Sequence, residues 1–219
     1  MISFGRPEHI PHLKALWHKV FGDSREYLDA FFNTFFRPEN TLVFTEGGFP
    51  VSALYMVPYT ILTDSGEKQV SYLYALSTEP SYRGKGIMSK LIEKSLELSR
   101  DRGYSLSVLI PSEPSLFGYY SRFGFKKCFD RVTITRTIER IKKEAEGYKP
   151  IKLERADAGR IWDAYIKSRF YASGCIILNE EQNRFYTETL EAAGGEAVTF
   201  EIDKENDGYA LLQPVDGKL

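Results

Sequence analysis

The stretch "PSYRGKGIMSKLIEKSLE", Pro80 to Glu97, decides how the rest of the chain is read. Arg83, Gly84, Lys85 and Gly86 stand directly before a run in which Ile87, Leu91, Ile92, Ser95 and Leu98 recur along one side of a helix. A helix N-terminus presents unpaired backbone N–H groups and a partial positive charge, so it suits a phosphate or pyrophosphate. Glycine lets the backbone bend and approach such an anion where a side chain would clash. The plain alternative is a strand-to-helix turn with solvated basic residues. Met88 fills the place where such loops often carry a third small residue.

Spacing separates the phosphate motifs. A P-loop requires GxxxxGK[ST], and neither Gly84 nor Gly86 heads such a run. The dinucleotide fingerprint GxGxxG would put Ser89 at its third glycine and would close directly on a strand, whereas Pro80, Ser81, Tyr82 and Arg83 intervene. What remains is Arg-x-x-Gly-x-small, met by Arg83 and Gly86 with Met88 in the last place.

Working outward, Ile10, Leu13, Leu16, Trp17, Val20 and Phe21 predict a first helix ended by Gly22. Asp23 or Ser24 can cap a second, with Leu28, Phe31, Phe32 and Phe35 as its apolar positions. "TLVFTE", Gly47-Gly48 and "PVSALYMVPYTIL" read as a hairpin, and "QVSYLYALST" as a third strand. The tyrosines of these strands read as core or as the lining of an acceptor pocket. After the glycine loop and its helix, "YSLSVLI" is nearly uncharged, as a strand in the middle of a sheet would be. "PSEPSLFGYYSRFGF" is a short helical or loop segment, "KKCFDRVTITRTI" a half-buried or edge strand, and residues 139–150 a charged linker.

Beyond the linker the pattern begins again. "IKLERADAGRIWDAYIKSRF" lies on "ISFGRPEHIPHLKALWHKVF" without a gap, matching Ile2 to Ile151, Phe4 to Leu153, Arg6 to Arg155, Ala15 to Ala164 and Phe21 to Phe170. A further helix pattern and two strands complete the order. The expected organisation is a domain over 1–138, the linker, and a partial second unit over 151–219.

Composition agrees with a folded, soluble protein. Of 219 residues, 42% are hydrophobic and 14% aromatic, enough for a buried core. A formal charge of -1 supplies no basic field for nucleic acid or an anionic membrane. No apolar run approaches the ~18–20 residues of a membrane helix, and "MISFGRPEHIPHLKALW" has no signal-peptide pattern. A cytoplasmic location is expected, with Cys128 and Cys175 as reduced, buried thiols. His9, His12 and His18 are expected as surface residues of the first helix, without a third ligand to hold a metal.

At this point the chain resembles the GNAT superfamily of acetyl-CoA-dependent N-acetyltransferases. "STEPSYRGKGIMSKLI" is similar to the family's coenzyme motif, V-x-P-x-x-R-G-x-G-x-G/A, and "YYSRFGF" to its F-Y-x-x-x-G-F. The resemblance covers residues 2 to 138 and implies an α/β fold with a mostly antiparallel mixed sheet flanked by helices. It implies acetyl-CoA as co-substrate, with the backbone of Leu76, Ser77 and Thr78 pairing the pantetheine arm. Amides from Arg83 through Gly84, Lys85, Gly86, Ile87 and Met88 would hold the pyrophosphate. Tyr120 would be the general acid that protonates the departing thiolate, a task a phenol suits at neutral pH. A backbone N–H near the end of the third strand would stabilise the oxyanion.

"IPSEPSLFGYYSRFGF" is also similar to the pattern of the "enhanced intracellular survival" acetyltransferases, which join a GNAT unit to a second, degenerate one and a sterol-carrier-like domain. That resemblance implies coenzyme contact for Ser112 and an acceptor-pocket place for Glu113, and this chain lacks room for the third domain. Glu113, or Glu79 beyond the third strand, is the candidate base, directly or through water, and a relay of ordered water is the alternative to both. The expected reaction is acetyl transfer to a small-molecule or peptide amine by direct attack in a ternary complex. The rivals are a non-catalytic acyl-CoA-binding module and transfer of a longer acyl group. The short second unit would complete its sheet by dimerising or by pairing with the first unit.

Overall fold

Alternation along residues 41–78 builds the centre of the molecule. In the computed structural model, which describes residues 1–128, 146, 152–168, 174–201 and 207–214, β2 (Thr41–Glu46), β3 (Phe49–Thr63) and β4 (Gly66–Thr78) form an antiparallel meander. β1 (Ile2–Phe4) pairs antiparallel with β2, and β5 (Leu106–Val108) runs parallel to β4. The order is β1-β2-β3-β4-β5, a mixed sheet. Among the described residues β5 is the last strand of this order. The residues expected to form the next strand, from 129 to 138, lie outside the described part, as does the linker except Glu146.

Successive side chains on a strand point to opposite faces, and here each face meets its own helices. Val57, Tyr59, Ile61, Val70, Tyr72 and Tyr74 face α1 (Ile10–Phe21) and α2 (Arg25–Phe35). Leu54, Met56 and Leu73 face α3 (Ile87–Asp101) through Leu91 and Ile92. Trp17 is the hub of the first face, only 2% exposed, with Phe31 across its edge at 4.6 Å and Tyr74 at 5.8 Å. Gly22 ends α1 at a left-handed φ of 79°, and Ser24 caps α2 by accepting from the Tyr27 amide.

Two expectations about side chains are corrected. His9 lies in a 3₁₀ turn before α1 and is buried, because its ring accepts from the Arg6 amide (3.3 Å) and closes the chain entry. His12 and His18 are exposed as expected. The cysteines are less buried than expected: Cys128 is exposed and Cys175 half-buried beside the short strand described next.

The second half repeats the first in topology. β6 (Glu154–Arg155) pairs antiparallel with β8 (Glu196–Glu201), which pairs with β9 (Asp207–Leu212), as β1 pairs with β2 and β2 with β3. Two helices, α5 (Ala158–Ser168) and α6 (Glu180–Ala192), lie between β6 and β8 as α1 and α2 lie between β1 and β2. The gapless superposition is corrected in register. Gly5 N donates to Thr41 O (2.7 Å) as Ala156 N does to Ala197 O (2.9 Å), so Arg155 takes the place of Phe4, and Arg6 has no such match. On the helices, Ile161 and Ala164 are buried where Leu13 and Leu16 are, while Ala15 is exposed. The partners proposed for Ile2 and Phe21 fall on residues 151 and 170, outside the described part.

This half is also knitted into the first sheet. β3 outruns β2, and β7 (Ile176–Ile177) pairs the uncovered edge at Thr60 and Ile61. Gln182 on α6 donates to the Pro58 carbonyl (2.9 Å), Tyr186 and Tyr59 hydroxyls meet at 2.8 Å, and Phe185 packs 4.8 Å from Phe35. Among the described residues, no helix is long and apolar enough to cross a membrane.

Candidate functional site

The site begins with a fault in the sheet. Between the Ala53–Ser77 and Tyr55–Tyr74 pairs, β3 contributes Leu54 and β4 contributes both Ala75 and Leu76, a β-bulge. Ala75 has φ +45°, a conformation rare for a residue with a Cβ, and the bulge places Tyr74 and Ala75 on one face before Leu76 turns to the other. Pairing of β4 with β5 stops at Tyr72–Val108. The last residues of β4 therefore border a gap in the sheet, with main-chain groups along it.

Those groups alternate in direction. Glu79 N donates to Val51 O (2.9 Å), and the Ser77 carbonyl accepts from Ser52 Oγ (2.9 Å), so residues 77 and 79 address β3. Leu76 and Thr78 address the gap. Of the three residues expected to pair the pantetheine arm, Ser77 is committed to the sheet, and Leu76 and Thr78 are the ones facing outward.

From Thr78 the chain makes a 3₁₀ turn, Pro80–Tyr82, and Arg83 returns to donate to the Thr78 carbonyl (3.2 Å). Gly84 and Gly86 sit at φ +75° and +70°, values that favour glycine, and Gly86 is the N-cap of α3. No side chain caps this helix, and its first turn holds no acidic residue. The amides of Ile87, Met88 and Ser89 are thus the orphan donors of a helix start. Lys85 rests its ammonium over the Tyr82 ring at 4.6 Å, and it and Arg83 are exposed. Ile87 is buried, and the half-buried Met88 packs against the apolar cluster that includes Leu54, Leu91 and Ile92. Met88 therefore leaves the loop open while its amide stays at the helix start.

The segment after β5 closes onto the same ground. α4 (Phe117–Ser121) carries Tyr119, whose hydroxyl meets Ser89 Oγ at 3.2 Å, and Tyr120, packed between Tyr119 and Phe125. Leu76, Met88 and Tyr120 all lean on one apolar cluster. Burial, and secondarily Tyr119, pushes the Tyr120 phenol above its ordinary 10.0, so it holds its proton at neutral pH. The carboxylates are placed differently. Glu113 is exposed and accepts from Ser115 (3.2 Å), Ser112 is exposed beside it, and Glu79 is ion-paired with Lys19 of α1.

One group of side chains had no motif to announce it. On the opposite face, Tyr27 and Tyr74 hydroxyls meet at 2.7 Å, Tyr72 and Tyr186 stand near them, and Asp23 accepts from the Trp17 indole (2.7 Å). Burial raises the Tyr27 and Tyr72 phenols to about 12, keeping them neutral. They come from α2, β4 and α6, and only the alternating tyrosines of "SYLYALS" hinted at them.

Comparison with known proteins matches these features. The family model described as Acetyltransferase (GNAT) domain matches residues 2–128. Human N-acetyltransferase 8B is 42% identical over 57 residues, 25% of each chain. A conserved Enterococcus faecalis V583 protein described as a "Probable N-Acyltransferase" superposes with a TM-score of 0.73 at 15% identity, covering 99% of this chain and 56% of that one. Eis1 from Mycobacterium abscessus gives 0.66 at 14%, covering 99% and 60%. This chain thus spans little more than half of those structures, and a quarter of the human relative, and at such identities the structures show a shared fold. The bulged strand, the uncapped glycine loop and the family match over more than half the sequence together place this chain in the GNAT acetyltransferase family.

Proposed function

We propose that the chain transfers an acetyl group from acetyl-CoA to an amine by direct attack within a ternary complex. The observation that carries this reading is the convergence of Leu76, Met88 and Tyr120 on one cluster beside the sheet gap. The residues present fit the coenzyme: the uncapped amides of 87–89 and the flanking Arg83 and Lys85 suit a pyrophosphate, and the outward main chain of Leu76 and Thr78 suits an amide-bearing arm. Acetyl-CoA supplies the activated thioester.

The chain's own groups then do the rest. An outward N–H at the end of β4 faces the carbonyl oxygen as it becomes anionic. The nitrogen–carbon bond forms and the carbon–sulfur bond breaks. The ammonium gives up two protons: one leaves before attack, and the second passes from the attacking nitrogen to solvent, which restores to Tyr120 the proton it gives the departing thiolate. Among the described residues Glu79 is ion-paired and Glu113 is exposed, so the first proton passes to Glu113 or directly to water. Holding both substrates in reacting geometry supplies much of the acceleration. We also assign the chain to the two-unit branch of the family, supported by the repeated topology of its second half.

The test is release of free thiol from acetyl-CoA across a panel of amines, together with Tyr120→Phe. The variant should lose roughly 10²–10⁴-fold in kcat with acetyl-CoA affinity unchanged, the usual range for general acid–base catalysis. Binding of acetyl-CoA without turnover of any amine would instead favour a sensor. Competition among acyl-CoAs of different chain length reads the transferred group.

A further inference from the structure

Tyr120 is carried by an element that holds itself poorly. α4 spans five residues, Phe117–Ser121, and buries none of them. A helix of one turn is marginal on its own hydrogen bonds. Those of this segment are local: Ser121 Oγ donates to the Gly118 carbonyl (3.0 Å), Arg122 Nε to the Tyr119 carbonyl (3.4 Å), and Phe123 N to the Tyr120 carbonyl (3.0 Å). Tyr120 is steadied through its ring, 5.2 Å from Tyr119 and 6.1 Å from Phe125.

The chemistry asks for more than that. A general acid works only within hydrogen-bond reach of its target, roughly 2.6–3.2 Å. The sulfur of acetyl-CoA ends an arm whose other end is the pyrophosphate. With the phosphates at the start of α3, Tyr120 has to stand at a set distance from that same helix start.

One side-chain hydrogen bond runs from α4 to α3 among the described residues. The Tyr119 hydroxyl meets Ser89 Oγ at 3.2 Å, and Ser89 is the third residue after the N-cap Gly86. Further along α3, Ser95 satisfies its hydroxyl in the way usual for a helix, by donating back to the Ile92 carbonyl (2.7 Å). Ser89 reaches across to another element.

The Tyr119 ring is clamped on its other sides. Phe123 meets it edge-on at 5.3 Å, and the Arg122 guanidinium lies 4.7 Å from its centre. Tyr119 and Tyr120 share a planar peptide, so fixing the first fixes the backbone from which the second projects. The family motif that "YYSRFGF" resembles has a phenylalanine at this position, so the hydroxyl is a feature of this chain.

We propose that Tyr119 is a positioning residue, whose hydroxyl latches α4 to Ser89 and so sets the distance from the start of α3 to the general acid Tyr120. The proposal rests on the acetyltransferase reading and deepens it. Tyr119 acts through Tyr120 and not on the sulfur.

The experiment uses the full chain with Tyr119→Phe, which keeps the ring and removes the hydroxyl, and Ser89→Ala, which removes the other end. Thiol release from saturating acetyl-CoA is read with spermidine, tyramine and a lysine-bearing peptide in turn. Each single variant should lose roughly 3–10-fold in kcat, the worth of one neutral hydrogen bond, and the double variant no more than either single. Acetyl-CoA affinity by calorimetry should stay unchanged in Tyr119→Phe. Ser89→Thr, which keeps a hydroxyl, should recover part of what Ser89→Ala loses.

The deciding readout is the Tyr120→Phe background, where Tyr119→Phe should lower kcat no further. A role in the packing of α4 alone would not depend on the Tyr120 hydroxyl. Trypsin cleavage after the exposed Arg122 reads the latch without turnover, and should be about 3-fold faster or more in both single variants. An unchanged kcat in Tyr119→Phe, or an equal loss with and without the Tyr120 hydroxyl, overturns the proposal and leaves the acetyltransferase reading standing. If acetyl-CoA binds and none of the three amines is turned over, cleavage decides: equal rates overturn the latch, faster cleavage in both variants upholds it. Failure of acetyl-CoA to bind at all overturns the acetyltransferase reading and this proposal with it.

Discussion

The two faces of the central sheet present polar groups of different kinds. On the α3 face the groups on offer are main-chain amides and carbonyls: the outward edge of Leu76 and Thr78, and the helix start after Gly86. On the α1–α2 face they are side chains gathered from α1, the α1–α2 turn, α2, β4 and α6, with Asp23 and the phenols among them. A main-chain site depends on conformation, so few residues control it and substitutions elsewhere leave it intact. A side-chain site depends on identity and on packing, and can be retuned one residue at a time. The bulge at Ala75 is where the two meet, because it brings β4 out of register beside the gap.

This contrast can be attacked directly. The largest effect after loss of Tyr120 is expected from Gly86→Val. A β-branched residue at φ +70° costs roughly 1–2 kcal/mol or more in backbone strain and crowds the helix start. Acetyl-CoA affinity measured by calorimetry should fall ~10-fold or more, while the fluorescence of Trp17, read with Trp162→Phe, stays that of the parent. A changed Trp17 emission would show that the faces are not separable.

Next comes stability. Asp23→Ala leaves the Trp17 indole, only 2% exposed, without its acceptor. The cost of such an orphaned donor is about 1–3 kcal/mol, read as a lower urea midpoint. Asp23→Asn should restore most of it. If Asp23→Ala is no less stable than Asp23→Asn, the carboxylate does not hold Trp17 in place and the first face is looser than described.

The smallest expected effect is on the pH profile. Burial favours the neutral phenol of Tyr120, so its pKa lies above 10.0 and the proton is retained at all lower pH. Turnover should therefore show no alkaline fall due to Tyr120 before pH 10.0 is passed. A descending limb below that value, missing in Tyr120→Phe, would mean that the coenzyme site depresses the phenol and that the α3 face carries positive charge reaching α4.

Much of this was legible from residue order. The helices around Leu13–Trp17 and Leu28–Phe35, the hairpin at Gly47-Gly48 and the start of α3 follow from local periodicity and turn chemistry, which act over a few residues. The repeat was legible only as an order of elements. Its register was misjudged because identity at Ala15 and Ala164 carried no information on burial, and one is exposed while the other is core. His9 was misplaced for a similar reason: its partner, the Arg6 amide, belongs to a turn that periodicity does not describe.

By itself, then, the sequence determined the elements, the glycine loop and the family resemblance, since these depend on near neighbours and on backbone freedom. Tertiary structure decided which face each tyrosine joined, that Ser77 turns to β3 while Leu76 and Thr78 turn outward, and that β7 and α6 knit the second half to the first sheet. It also decided that Asp23 meets Trp17 and that Tyr27 meets Tyr74. Those outcomes depend on packing between elements far apart in the chain, where no local rule reaches.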